Sequence, residues 1–152
     1  MSTKEIALKY IHFLENFETE KIIALFAVAG KVNSPLYGIR NAKEFYTLLD
    51  EDTLNSGLIV NSIFENKESN SIALYFTFHW TLKNNKKVVF DVVDIIEFNE
   101  KNKIVLLTII YDTVIARNLH EDGKTKKIKN AHQMVSVLVY LILTKLTNKI
   151  KR

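Results

Sequence analysis

The chain contains no cysteine. Disulfides, zinc–thiolate sites and cysteine nucleophiles are thereby excluded. Its four glycines, Gly30, Gly38, Gly57 and Gly123, lie far apart. They build neither a phosphate-binding loop nor a dinucleotide fingerprint. No G-x-S-x-G elbow is present. The four histidines, His12, His79, His120 and His132, are isolated, with no H-E-x-x-H spacing. The residues therefore call for no metal and no cofactor. Pro35, the one proline, disfavours helix at Ser34. No apolar run reaches the ~20 residues that cross a bilayer. The opening "MSTKEIALKY" has no apolar core of the leader kind, so the expected location is the cytoplasm.

What is present is an ordinary globular composition. The 152 residues suit one domain, with 47% hydrophobic, 25% charged and 11% aromatic side chains. Charge is placed unevenly. From Lys124 onward there are eight Lys/Arg and no Asp/Glu, a block of +8. The residues before it hold 13 basic against 17 acidic side chains, a net −4. An acidic body thus precedes a basic tail, and the two are read apart.

Periodicity predicts helices first. Over 3–16, Ile6, Tyr10, Phe13 and Phe17 recur at helical spacing, as do Ala7, Ile11 and Leu14. A second helix runs through "EKIIALFAV", capped by Thr19 and ended by Gly30. "KVNSPLYG" reads as an extended piece and a turn. A third helix over 41–54 is capped by Asn41. The period then changes, and 57–66, 71–83, 87–99 and 103–116 read as strands joined by the polar loops "NKESN", "KNNKK" and "NEKNK". This order predicts an α+β domain, three helices on one face of a bent antiparallel sheet.

The stretch "VVFDVVDIIEF", Val88 to Phe98, carries two aspartates three residues apart. Strand side chains alternate between faces, so Asp91 and Asp94 point oppositely. Along 72–82 the larger apolar side chains occupy even positions, which marks the inner face. In the next strand Phe90, Val92, Ile96 and Phe98 share a face with Asp94, so Asp94 is the inward acid. The outer face, with Tyr75, His79, Val93 and Ile95, is itself rather apolar and predicts cover by a second copy.

Three stretches, "ALKYIHFL", "SPLYGIRNAKEFY" and "DVVDIIEFNEKNKIVLLTIIYDTV", resemble the ketosteroid-isomerase and SnoaL-like polyketide-cyclase branch of the nuclear-transport-factor-2-like superfamily. The resemblance covers about Lys4 to Arg117, a domain of residues 1–117. It implies a conical fold, a curved sheet wrapped on three helices, with a deep apolar pocket and often a homodimer. In that family a tyrosine and a neutral aspartic acid form an oxyanion hole beside an aspartate base. Tyr10 falls on the tyrosine and Asp94 on the acid. Tyr46 falls on a tyrosine that hydrogen-bonds the first. Tyr111 stands where some members carry a pocket tryptophan. The base position holds Ser34, a departure. Phe26, Tyr37, Phe76, Phe78, Trp80 and Phe90 complete the expected pocket lining.

The residues themselves support part of this. A carboxyl among Phe, Val and Ile is desolvated, which raises its pKa and leaves it able to donate. Two such donors aimed at one point stabilise an enolate. Serine is far too weak a base without a partner. Each residue also has a plainer reading: Asp94 and the tyrosines as satisfied core groups, Ser34 as a turn residue. The expected function is binding of a flat, mostly apolar carbonyl compound, with isomerisation, cyclisation or dehydration through an enolate if the site is catalytic. The alternative is a non-catalytic ligand-binding or dimeric interaction module.

The resemblance leaves the tail unexplained. A polar linker over 118–130 leads to a basic, apolar-cored extension over 131–152. Three readings stay open for it: a helix docked on the domain or its mate, a basic segment on an anionic membrane surface, or an extra edge strand. Nucleic acid is not an expected partner, because the basic residues do not alternate with stacking aromatics.

Overall fold

The first helix, α1 (Thr3–Glu15), starts at a capping box. Ser2 Oγ accepts from the Glu5 amide at 3.3 Å, and the Ser2 amide donates to Glu5 Oε2 at 2.7 Å. The computed structural model describes residues 1–114. The expected boundary at 117, the linker, the extension and its three readings all lie outside the described residues.

Helix α1 buries Ile6, Ala7, Tyr10 and Ile11. It stops before Phe17, which takes a left-handed φ of 57° and is 38% exposed. Helix α2 (Thr19–Leu25) is shorter than its periodicity predicts and has no side-chain cap; Glu18, not Thr19, is its N-cap residue. Strand β1 (Phe26–Ser34) takes over at Phe26, so Gly30 lies inside a strand and does not end a helix. Pairing decides this, since β1 runs parallel to β6 (Ile104–Tyr111), with Lys31 opposite Leu106 and Val32 opposite Leu107. Val32 and Leu107 are both fully buried. Tertiary burial here overrides a helical sequence pattern.

After Pro35 the chain turns through Gly38, whose φ of +72° suits glycine, into β2 (Gly38–Asn41). Asn41 Oδ1 accepts from the Glu44 amide at 2.9 Å and caps α3 (Ala42–Asp52). Then come β3 (Thr53–Asn66), β4 (Ser71–Leu82) and β5 (Lys87–Phe98). The loops before β4, β5 and β6 each place an asparagine at positive φ: Asn70, Asn85 and Asn102.

The six strands form one sheet in the order β2-β1-β6-β5-β4-β3. Three helices packed on this sheet make the domain α+β, and the sheet is mixed because the β1–β6 pair is parallel. Register shifts in β3 near Asn55 and Asn61 bend it. Burial in β4 alternates as predicted, with Ile72, Leu74, Phe76, Phe78, Trp80 and Leu82 inside. In β5 Asp94 is inside, 1% exposed, and Asp91 is outside. Asp91 accepts from Tyr75 Oη at 3.0 Å and Thr77 Oγ1 at 2.8 Å, and Asn61 Nδ2 donates to Thr77 Oγ1 at 3.1 Å. The outer acid is thus held by neutral hydroxyls in mid-face.

Gly30 has a packing role at the β1–β6 junction. A Cβ there would lie 2.8 Å from the Ile104 carbonyl oxygen and 2.9 Å from that of Ala27. Both are backbone atoms, so little can give way. Gly30→Ala is expected to destabilise the protein by about 1–3 kcal/mol through overpacking. Thermal unfolding checks this, and an unchanged midpoint would refute the close approach of β1 to β6.

Candidate functional site

The site begins with one hydrogen bond. Tyr10 points from the buried stripe of α1, and Asp94 from the inner face of β5. Tyr10 Oη donates to Asp94 Oδ2 at 2.9 Å, and both residues are buried. The other carboxyl oxygen, Asp94 Oδ1, is buried with no hydrogen-bond partner.

The pair lies in the wall of a cavity of about 50 Å³. Ser34, Tyr37, Phe76, Phe78, Trp80, Phe90 and Tyr111 also line it, so the structure gathers nine of the eleven expected residues around one space. Tyr46 and Phe26 are not among the lining residues. Tyr46 packs edge-on to Tyr10, with ring centroids 6.4 Å apart, and Phe26 packs on Tyr46 at 5.8 Å. The resemblance implies a hydrogen bond between Tyr46 and Tyr10, but the Tyr46 hydroxyl makes none here.

The aromatic wall is held in place. Phe90 packs on Tyr111 at 4.8 Å and on Phe78 at 5.7 Å. Trp80 Nε1 donates to Thr53 Oγ1 at 2.8 Å, and Tyr37 Oη donates to Asp52 Oδ2 at 2.8 Å. Ser34 Oγ accepts from the Leu36 and Tyr37 amides at 3.3 and 3.4 Å. Its oxygen caps the turn, and no carboxylate or histidine hydrogen-bonds it among the described residues. Nor do three or more metal-ligating side chains converge anywhere among the described residues. No helix among them is long and apolar enough to cross a membrane.

No family model matches the chain, and no curated protein matches it in sequence. Solved structures do match its fold. An NTF2-like protein of unknown function from Burkholderia pseudomallei superposes with a TM-score of 0.69 at 15% identity, covering 78% of this chain and 98% of that one. TerC, co-crystallised with polyporic acid, gives 0.68 at 18% identity over 78% of this chain and 98% of its own. A protein with a ketosteroid isomerase-like fold from Catenulispora acidiphila, in complex with trimethylamine, gives 0.63 at 10% identity over 71% and 85%. The fold is NTF2-like. At these identities the likeness is one of architecture alone.

Within this NTF2-like frame, electrostatics follow from dryness. Burial pushes the Asp94 carboxyl up to about 7, and the bond from Tyr10 offsets part of that rise. Burial also holds Tyr10 well above the usual phenol range, and the Asp94 charge adds to it. Tyr46 and Tyr37 are raised for the same first reason. Near neutral pH the site therefore keeps its phenols protonated and its carboxyl close to balance.

Sequence reasoning overlooked part of the wall: Leu14, Leu36, Phe45, Leu49, Val92 and Ile109. A signal existed for two of them. Leu14 follows Tyr10 by four residues on α1, and Val92 precedes Asp94 by two on β5, so each shares its neighbour's face.

Asp94 makes stability depend on pH. Its folded pKa is raised above its unfolded value of 3.8. The folded state thus binds the extra proton between those values. The contribution is fully present below the unfolded value and is lost as pH rises through about 7. Each pKa unit is worth roughly 1.4 kcal/mol, so a loss of a few kcal/mol is expected. Asp94→Asn keeps the shape but cannot ionise. Denaturant melts from pH 4 to 8 should show wild type falling relative to Asp94→Asn over that range. Parallel curves would mean that Asp94 titrates like an exposed acid.

Proposed function

We propose that this protein binds a small, mostly apolar carbonyl compound, with the carbonyl oxygen held at Tyr10 and Asp94. The observation that carries this reading is the half-satisfied acid: Oδ2 takes the Tyr10 hydroxyl, while Oδ1 has no partner at all. A buried polar atom without a partner costs about 1–3 kcal/mol. A ligand oxygen at Oδ1, accepting the proton of the neutral acid, removes that cost. As negative charge grows on the ligand oxygen, the hydrogen bond from the carboxylic acid strengthens, and the Tyr10 hydroxyl, whose one proton lies on Oδ2 in the free protein, turns to that oxygen as a second donor. That favours reactions through an enolate: isomerisation, cyclisation or dehydration. The cavity, at about 50 Å³, is small beside the ~300–1,000 Å³ of drug-sized sites. The ligand is therefore compact, or it displaces side chains on entry.

Proton removal is the part the site lacks. Ser34 stands at the base position with its oxygen turned to two amides. Binding with little or no isomerase turnover is the expected behaviour. The test uses 3-cyclohexen-1-one, whose conversion to the conjugated ketone moves one proton from the α to the γ carbon. Wild type is expected to bind it without accelerating the shift. Ser34→Asp is expected to raise the rate by ~10²–10⁴-fold, the usual worth of a general base. Tyr10→Phe in that background should remove most of the gain. Fast turnover by wild type would refute this placement of the missing base.

The second reading is a dimeric interaction module, and the outer sheet face supports it. Ile59, Phe64, Val89 and Ile110 are each more than half exposed there. Asp91 on that face already has both oxygens hydrogen-bonded, which lowers the cost of covering it. A second copy fits a face that is apolar around a satisfied acid. Light scattering is expected to give a dimer, and Val89→Lys with Ile110→Lys a monomer. A monomeric wild type at working concentrations would rule this interface out.

A further inference from the structure

Behind the cavity lies a second, smaller one of about 20 Å³. It sits where the ends of α1 and α3 meet β3, and Phe17, Ile22, Tyr46 and Thr53 help to line it. Three residues line both spaces: Leu14, Leu49 and Phe78. The two cavities are therefore neighbours, with these three side chains in the wall of both.

Two of the three shared side chains lie at helix ends. Leu14 lies in the last turn of α1 and Leu49 in the last turn of α3. Both are half-buried, unlike the core positions beside them. Side chains at such places change rotamer without disturbing a packed core. Phe78, 8% exposed on β4, is the fixed side of the opening. The rear space suits an apolar guest. Two polar groups of its wall are buried: Thr53 Oγ1 is fully engaged, donating to the Leu49 carbonyl at 2.6 Å and accepting from Trp80 Nε1 at 2.8 Å, while the Tyr46 hydroxyl has no partner.

We propose that the two cavities form one ligand channel, and that the ligand is an elongated carbonyl compound whose apolar chain passes between Leu14, Leu49 and Phe78 into the rear space. Placing the carbonyl end at Tyr10 and Asp94 rests on the function proposed above. Distance fits the arrangement. Leu14 is one helical turn beyond Tyr10, roughly 6 Å along α1, so a chain of several methylenes reaches the partition. The small size of each separate cavity then ceases to limit the ligand, because displacing two leucines joins them.

The test is a chain-length series of methyl ketones, from 2-butanone to 2-undecanone, on the full chain. Trp80, the one tryptophan, lines the front cavity, so its fluorescence reads binding. Each methylene buried is expected to tighten binding about fourfold, and the gain should continue past the length that reaches the partition. Leu49→Phe and, independently, Leu14→Phe narrow the opening and should end the gain at that length. Leu49→Ala should steepen it for the longest ketones. The readout is the slope within each variant, so a general loss of affinity or stability cancels. Equal slopes in wild type and both phenylalanine variants overturn the channel, as does a wild-type plateau at short chains. The head-group reading is separated by Tyr10→Phe, which should weaken every ketone by a similar factor. If it weakens none while the slope persists, the carbonyl placement fails and the channel stands.

Discussion

Burying one carboxyl group shapes this structure more than any other single fact. Asp94 joins β5 to α1 through Tyr10, across 84 residues of sequence. An apolar residue at that position would pack without a desolvation cost and would often be as stable or more so. The fold instead surrounds the acid with aromatic and aliphatic side chains and gives it one donor. That dryness lifts the carboxyl toward neutrality and keeps the nearby phenols protonated. The walls of the cavity, the edge-on rings behind it and the unpartnered Oδ1 all belong to the same arrangement.

Asp91 shows what the same residue becomes three positions earlier on the same strand. Two hydroxyls satisfy it on the outer face, and Asn61 donates to one of them, that of Thr77. Side-chain parity separates a buried, half-satisfied acid from a solvent-facing, fully hydrogen-bonded one here. A single residue of slippage in the β4–β5 register would exchange them, which is why the strong alternation along β4 matters for chemistry as well as for packing.

Much of this was legible from sequence because it depends on local periodicity. The strand alternation in 72–82 and 88–98 identified Asp94 as the inward acid, and the Asn41 cap and the three asparagine loops lay where they were expected. The misreadings share one cause. Phe26 to Val28 continue a helical pattern, yet they lie in a strand whose pairing is fixed on either side of them, by Phe26 opposite Ile104 and Lys31 opposite Leu106. Periodicity holds no information about that partner. The Tyr37–Asp52 bond and the leucines shared between cavities were invisible for the same reason, since they join segments that no local rule connects. Tyr46 falls between these cases. Its burial beside Tyr10 was foreseeable, but the geometry of its hydroxyl was not.

The parallel pairing of β1 with β6 also orders events in time. Strands β3 to β6 are successive antiparallel neighbours and close short loops. Strand β1 is made early, but its main partner is among the last of these strands to be synthesised. Until Ile104–Tyr111 has been synthesised, Val32 has no Leu107 to bury against, and Gly30 has no Ile104 backbone to approach. Strand β2 can pair on one side of β1 from the start, but the other side of β1 stays open until β6 follows it. An open strand edge of this kind is a place where another chain can pair.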